Sequence, residues 1–430
     1  MNTMDIGVVE KLLSPEGWAL LSSLPPYDDA TALHLGASLR EAGYDPELVS
    51  AALTQCRLRA RAQGKLGDFA AGMLFTSDGL EQATRLELGA RHASRYRQAG
   101  IEHVWDLGCG IGADAMAMSA LGLQVTAVDQ DPATAAIAGT NLRYFPDSRT
   151  RVGDAAAIAD EITALTDGAW FDPARRSPGR HDAQGRTRRT FRLDELTPSF
   201  NTLVETAARV PATGAKLSPS LAHSAVPAGC EAQWTSYAGE VLECTLWWGP
   251  LVTEAGRSAL VLRPPSADGS APAVDITLTE RDALPGQDRP TATAAPSEGD
   301  WIWDPDKAVV RAGLTGALVA ATDGTELAAG AGYVTAASPS EVAYARRYQI
   351  SAAMPLQHKT LRHWLRSQDI GRLTIKKRGI TLDADRLRKD LRLDGRGNEL
   401  TCIITRVGDK QYFLAVEPRP TTHTTSEHTA

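Results

Sequence analysis

The sequence predicts an α/β protein, in which a helical prefix precedes a doubly wound, mainly parallel sheet and a small α+β domain follows it. Three observations carry this expectation. From His103 onward, short apolar runs (HVWDLGC, LQVTAVD, TRVGD, GAWFDP) alternate with helical stretches, and strands separated by helices build parallel sheets. Residues 1–65 instead place apolar positions at helical spacing in VVEKLLSPEGWALLSSL and ATALHLGASLREAGYDPELVSAALTQCRLRA. Near the end, ELTCIITRV and QYFLAVE flank the turn GDK, a hairpin signal.

Residues 1–70 form the helical prefix. One helix is expected from Asp78 to Tyr96, with Asp78 as N-cap and Glu81 three positions on, the arrangement of a capping box. The alternating pattern then fills the domain assigned to 71–262, whose later strands are GAKLS, EVLECTLWW and SALVLR, with antiparallel strands expected at its end. Residues 263–298 turn to Pro, Ala, Ser, Asp and Thr and read as a linker or surface excursion. The stretch 299–340, beginning WIWDPDKAVVRAGL, is a connecting segment that either docks on the sheet or bridges to the C-terminal domain. Residues 341–420 form that basic domain, and 421–430 (TTHTTSEHTA) a disordered tail.

Composition bounds the rest. A chain of 430 residues exceeds one ordinary core and predicts two or three domains. With 43% hydrophobic and 23% charged residues it is neither disordered nor collagen-like. No apolar run has the length of a membrane helix, and the start MNTMDIGVVEKLL lacks a basic and then apolar leader, so a soluble cytoplasmic protein is expected. The five cysteines (Cys56, Cys109, Cys230, Cys244, Cys402) are odd in number and include no CxxC, which argues against a disulfide framework and a structural zinc site. Residues 341–420 hold 17 Lys and Arg against 9 Asp and Glu, so they carry +8 while the remainder carries −15 of the total −7. That asymmetry points to an anionic partner for this domain, and a merely solvated basic face explains the count equally well.

The sharpest segment is Val104-Trp105-Asp106-Leu107-Gly108-Cys109-Gly110-Ile111-Gly112-Ala113-Asp114. A strand runs into a turn with alternate glycines and a helix begins at once, so backbone can approach a ligand where a Cβ would collide. Three more carboxylates close predicted strands: Asp129 in VTAVDQD, Asp154 in RVGDAA and Asp172 in AWFDPAR. They fall along the C-terminal edge of the sheet, where open α/β sheets bind ligands.

DLGCGIGAD, an acidic end to the second strand, GDA after the third and DPAR after the fourth resemble the class I S-adenosylmethionine-dependent methyltransferases over residues 70–262. The resemblance implies a Rossmann-like, seven-stranded sheet and S-adenosyl-L-methionine as cofactor. Asp106 and the turn Gly108, Gly110, Gly112 would hold its amino-acid end, with Asp114 among the binding residues. Asp129 would accept the ribose hydroxyls, and Asp154 the adenine amino group. A nicotinamide dinucleotide fold also pairs a glycine turn with a later acidic residue, but its GxGxxG fingerprint is only partly met.

Asp172-Pro173-Ala174-Arg175 resembles the tetrapeptide [D/N]PP[Y/F/W] of methyltransferases acting on exocyclic base amines. Asp172 and Pro173 carry over as the residues that orient the amine. Ala174 replaces proline, and Arg175 stands where the stacking aromatic is usual; a guanidinium plane can also stack on a base or hold a phosphate. The uracil-C5 enzymes need a nucleophilic cysteine, and Cys109, Cys230 and Cys244 are poorly placed for that. The loop after this tetrapeptide carries Arg176, Arg180, Arg186, Arg188 and Arg189, either to track a phosphate backbone or as a solvated charge run. Upstream, Thr76 and Gln82 lie in a segment similar to one that closes over the cofactor in some RNA methyltransferases; an ordinary helix cap accounts for them as well.

The run IGRLTIKKRGITLDADRLRKDLRLDGRGNELTCIITRVGDKQYFLAVEPR resembles the THUMP-like domain of bacterial methyltransferases. It implies RNA as partner, transfer or ribosomal, with Lys376, Lys377, Arg378, Arg386, Arg388 and Lys389 supplying phosphate contacts. The expected protein is thus an RNA base methyltransferase needing no metal and no membrane. Small-molecule or protein methylation, or cofactor binding without turnover, are the alternatives.

Overall fold

Strand β1 (His103–Leu107) stands at the centre of the first unit because its apolar residues are followed immediately by the glycine turn, which forces the chain into helix α7 (Ala113–Ala120). The computed structural model describes residues 5–163, 166–175, 193–266, 268, 272–283, 289–393 and 395–418. They divide into two units, residues 1–217 with 246–253, and residues 218–245 with 254–430.

In the first unit, helices α1 (Ile6–Leu13), α2 (Pro15–Ser23), α3 (Ala32–Glu41) and α4 (Pro46–Leu66) form the prefix. Their starts are written locally: Asp5, Ser14 and Asp45 each cap a following backbone N–H, and Pro15 and Pro46 take first helical positions, where no N–H is needed. Along α4, Leu48, Ala52, Gln55, Leu58, Ala62 and Leu66 recur at helical spacing and are buried. Helices α5 (Ser77–Gln82) and α6 (Leu86–Gln98) follow. The single helix expected from Asp78 is therefore two, and the cap is Thr76, whose hydroxyl accepts from Gly79 N at 2.9 Å. The break at Ala83–Arg85 lets Thr84 turn its side chain to Asp114, a bond that a continuous helix does not reach.

After β1 and α7 come β2 (Gln124–Asp129), α8 (Pro132–Asn141), β3 (Arg149–Val152), α9 (Ala155–Ala159) and β4 (Asp167–Phe171). Two-residue strands β5 (Ala174–Arg175) and β6 (Leu196–Thr197) pair antiparallel, and α10 (Phe200–Arg209) leads to β7 (Ala212–Leu217). The strands β3-β2-β1-β4-β7 lie side by side and are all parallel. The order reverses beside β1, the switch point at which doubly wound sheets open a crevice at their carboxyl ends.

Behind the strands, Tyr96, Trp170, Trp247 and His92 form a buried aromatic cluster, with Trp170 and Trp247 centroids 5.6 Å apart. Gly168 and Gly214 make room for it, since a Cβ at either would lie 2.7 Å from an aromatic ring. Tyr96 Oη donates to Ala169 O at 2.6 Å, so the cluster is also pinned to β4.

The second unit begins with β8 (Glu231–Tyr237), β9 (Glu240–Trp247), β10 (Gly256–Arg263) and β11 (Val274–Thr279), in the order β11-β10-β8-β9. Strand β11 lies inside the stretch read as linker. Val274 and Leu278 are buried there, an alternation that the flanking Pro and Ser conceal. β8 and β10 are parallel, and only β11 is antiparallel to β10.

A second sheet holds β12 (Trp301–Pro305), β13 (Thr325–Glu326), β14 (Val334–Ala336), β15 (Ala345–Pro355), β16 (Ile370–Lys377), β17 (Asn398–Val407) and β18 (Lys410–Pro418) in the order β13-β14-β12-β15-β18-β17-β16. Its helices are α11 (Lys307–Arg311), α12 (Thr315–Thr322), α13 (His358–Ser367) and α14 (Ala384–Leu391). The segment 299–340 thus supplies strands to the sheet of the basic domain. The expected β17–β18 hairpin forms around Gly408, at φ +56°.

The sheet is tied across its middle by charge. Lys376 Nζ and Arg378 Nη2 reach the two oxygens of Asp304, on β12, at 2.9 and 2.8 Å, and the Asp304 side chain is only 12% exposed. Removing the carboxylate leaves two half-buried cations without this partner. Asp304→Ala is expected to cost about 3 kcal/mol, measured as a lower urea midpoint for the full chain.

Candidate active site

The carboxyl ends of β1, β2, β3 and β4 each deliver one aspartate. Asp106, on β1, is 1% exposed, and neither carboxylate oxygen has a hydrogen-bond partner among the described residues. Burial pushes its carboxyl well above the usual carboxylate range; the charges of Asp114, Asp172 and Asp129 push the same way, and Lys216 opposes them. A buried acid left unbonded at the head of a glycine turn is unfavourable in isolation.

Gly108, Gly110 and Gly112 all have positive φ, at +101°, +54° and +82°, a region that L side chains avoid. Gly108 also approaches the fourth strand, since a Cβ on it would lie 3.2 Å from Asp172 O. Asp129 closes β2 and accepts from Gly110 N (3.1 Å) on one oxygen and Asp131 N (2.9 Å) on the other. Each oxygen keeps a further lone pair for a ligand hydroxyl. Asp154 caps α9, its Oδ1 accepting from Ala156 N and Ala157 N at 2.9 and 3.1 Å, and is otherwise exposed.

Asp114 has a different setting. Its carboxylate accepts from Thr84 Oγ1 at 2.6 Å and pairs with His92 Nδ1 at 2.9 Å. Burial would raise its pKa, but the His92 hydrogen bond and the Lys216 charge hold it down, to about 2. Both oxygens are therefore committed to the interior.

Lys216, at the end of β7, belongs to none of the motifs that the sequence displays. Its Nζ lies 2.5 Å from Asp172 Oδ2, 2.8 Å from Thr84 Oγ1 and 3.9 Å from Asp114 Oδ2. A continuous polar chain thus runs Asp172–Lys216–Thr84–Asp114–His92. The signal that could have found it is the β4–β7 pairing: Phe171 opposes Ala215, so the next residue of each strand stands at the same edge.

The segment before α6 is fastened from several sides. Gln55, fully buried on α4, bridges Phe75 through Nε2 to its carbonyl (2.8 Å) and Oε1 to its N–H (2.9 Å). Arg59 Nε donates to Met73 O (2.8 Å), and Lys65 Nζ to Leu80 O and Glu81 O (3.0 and 2.9 Å). Burial, helped by the charges of Lys216 and Arg85, lowers the Lys65 pKa to about 8. Asn141 Nδ2 donates to Leu74 O and Ile111 O, joining this segment to the glycine turn. Thr76 is half-buried beside the turn; Gln82 is exposed.

Asp172 and Pro173 are half-buried, and Ala174–Arg175 pair with β6. Arg176, Arg180 and the rest of their loop lie outside the described residues, as does the 421–430 tail. Burial raises the Cys109 thiol well above its ordinary value, and the Asp106 and Asp129 charges add to this, which disfavours the thiolate.

In the second unit the basic candidates separate. Lys376 and Arg378 are paired with Asp304, Arg378 Nη1 also donates to Gly332 O, and Lys377 Nζ donates to Leu382 O. All three were expected to face a phosphate backbone; Lys376 and Arg378 are ion-paired within the chain, whereas Lys377 is exposed. Arg388 donates to Asp385 (2.8 Å) and leans on Leu373 O, whereas Lys389 is exposed. Together with exposed Arg372 and half-buried Arg388, it lines a cleft of about 470 Å³. Among the described residues there is no group of three or more His, Cys, Asp or Glu placed to hold a metal, and no helix long and apolar enough to cross a membrane.

Known proteins resemble the chain over most of its length. Residues 5–62 match a family described as a domain of unknown function, and residues 345–418 one described as THUMP domain-like. A protein described as a methyltransferase from Porphyromonas gingivalis W83 has the same fold, with a TM-score of 0.70 over 92% of this chain and 100% of that one at 18% identity. Uncharacterized S-adenosylmethionine-dependent methyltransferases from two Mycobacterium tuberculosis strains, CDC 1551 and H37Rv, are each 30% identical over 363 residues, covering 82% of this chain and 91% of the relative. The chain belongs to the S-adenosylmethionine-dependent methyltransferases.

Proposed function

We propose that the protein methylates a base of structured transfer or ribosomal RNA, an exocyclic amine being the target its site fits best. The observation that supports this most is the position of Asp172, beside the glycine turn and shortly before a stretch of sequence rich in arginine. A THUMP-like domain in the same chain points to RNA as the partner, and we read the enzyme as cytoplasmic.

The residues present fit the cofactor. S-adenosylmethionine carries an ammonium, and Asp106 is a buried carboxyl with no partner on either oxygen among the described residues. When bound, the cofactor supplies an activated methyl group, so little acid–base work is left to the protein. Asp106 and the turn Gly108, Gly110 and Gly112 receive its amino-acid end, Asp129 the ribose hydroxyls, and Asp154, through Oδ2, the adenine amine. Asp114 acts from inside, through Thr84 and Lys216. Thr76 holds α5 next to Ile111 of the turn, with Gln82 at the end of that helix.

On the substrate side, Asp172 accepts a hydrogen from the target amine and the Pro173 carbonyl fixes its plane. Arg175, with Arg176 and Arg180, guides the base and the adjoining phosphates. Arg388 and Lys389 bind phosphate from the C-terminal domain, which fixes position without reading sequence. Rate then derives from positioning.

Two outcomes test this reading. Radiolabelled methyl from S-adenosylmethionine is expected to enter total RNA from a strain lacking the protein, as nuclease-sensitive and protease-resistant label, and Asp172→Ala to lower the rate about 100-fold. Label that resists nuclease would reject RNA. Lys389→Glu is expected to weaken RNA binding and to reduce the slope of log K against log salt by about 1.

Asp106 gives a second, opposed pair of readouts. Its raised pKa means that the folded protein holds the proton more tightly than the unfolded chain. Stability of the empty protein therefore falls as pH rises from about 3.9 toward the folded pKa. Asp106→Asn removes that fall. The variant is expected to melt at a higher temperature than the parent at pH 7, while calorimetry shows S-adenosylmethionine binding weaker by about 10- to 100-fold.

A further inference from the structure

Lys216 belongs to no motif, yet it meets three elements of the site at once. Its ammonium contacts Asp172 after β4, Thr84 between α5 and α6, and, at 3.9 Å, Asp114 on α7. Its side chain is 13% exposed and that of Asp172 31%. Asp106 lies within electrostatic reach of Asp114, Asp172 and Lys216 together. The lysine is therefore a cation set among carboxylates around the cofactor turn.

One charge distinguishes the methyl donor from the spent cofactor. S-adenosylmethionine has a methylated sulfonium where S-adenosylhomocysteine has a neutral thioether, and apart from that methyl the two share every group. A site of bare carboxylates favours the charged ligand; a lysine among them opposes that preference. Asp172 adjoins the turn, its carbonyl 3.2 Å from where a Cβ on Gly108 would lie, and Lys216 binds its carboxylate directly.

We infer that Lys216 is a positioning residue that fixes Asp172 as an ion pair and thereby sets the preference of the site for donor over spent cofactor. The pair keeps the Asp172 carboxylate in one orientation for the target amine. It also limits the negative potential felt by the sulfonium, so the site discriminates less sharply between the two cofactor forms. The inference rests on the cofactor assignment, which the same experiment tests separately.

Calorimetric titration of the full chain with each ligand, at one pH and ionic strength, provides the readout. A lysine with only a structural role weakens both ligands alike when removed. Removing a charge that opposes the sulfonium instead raises the ratio of Kd for S-adenosylhomocysteine to Kd for S-adenosylmethionine. For unit charges a few ångströms apart in a partly solvated site, the shift is about three- to tenfold.

Lys216→Met, or Lys216→Gln if the methionine variant does not fold, is expected to raise the ratio by that factor. Lys216→Arg is expected to keep it within about twofold of the parent, and Asp172→Asn to lower it. An unchanged ratio in the neutral variants, or an equal shift in Lys216→Arg, overturns the inference while leaving the cofactor assignment intact. Failure of the unaltered protein to bind either ligand overturns both.

Discussion

Like charges at one sheet edge are the constraint on which the site depends. Four parallel strands carry an aspartate at or just beyond their carboxyl ends, and three of those acids, with Asp114 added from α7, act on one another within a partly buried crevice. Each is relieved differently. Asp129 is met by backbone N–H groups, Asp114 by His92, Thr84 and, at longer range, Lys216, and Asp172 by Lys216. Asp106 keeps both oxygens bare among the described residues. The uneven relief leaves one buried carboxyl unbonded at the end of β1 among the described residues and another, after β4, held by a lysine.

The break between α5 and α6 follows from the same constraint. Thr84 can reach Asp114 and Lys216 only if the helix stops, and the chain is held in that path by α4. Gln55, Arg59 and Lys65 fasten residues 73–81 through main-chain atoms. The N-terminal helices thus pack as a wall of the first unit. Gln55, fully buried with both amide ends bonded, is the point at which a long helix and an extended segment are brought into register.

Much of this was legible in the sequence, and the losses have physical causes. Alternating apolar runs identify the parallel strands, and the glycine turn and strand-end aspartates are local features readable at their own positions. Lys216 is not local. Its meaning comes from a neighbouring strand about 40 residues away in the chain, and GAKLS carries no signal of that pairing. The capping-box reading of Asp78 and Glu81 favoured one helix because local chemistry was complete without Thr84's distant partners. Lys376 and Arg378 show the reverse error. Read as charge in a basic run they look solvated, but at alternate positions they point the same way, toward Asp304.

The contrast between Asp304 and Asp106 explains how stability and function are divided. Asp304 sits between two cations that the chain supplies, so its ion pairs are complete without a ligand and join β12 to the strands of the C-terminal sheet. Asp106 is buried with no cation bonded to it among the described residues, an arrangement unfavourable in isolation. Packing elsewhere compensates: the aromatic cluster of Tyr96, Trp170, Trp247 and His92 lies behind the same strands and connects through His92 to Asp114. A well-packed interior can support a buried carboxyl that the described residues leave unbonded. On the proposed assignment of Asp106 to the cofactor's ammonium, replacing it by a self-sufficient residue trades receptor for stability, the usual opposition between a relaxed fold and a site prepared for a ligand.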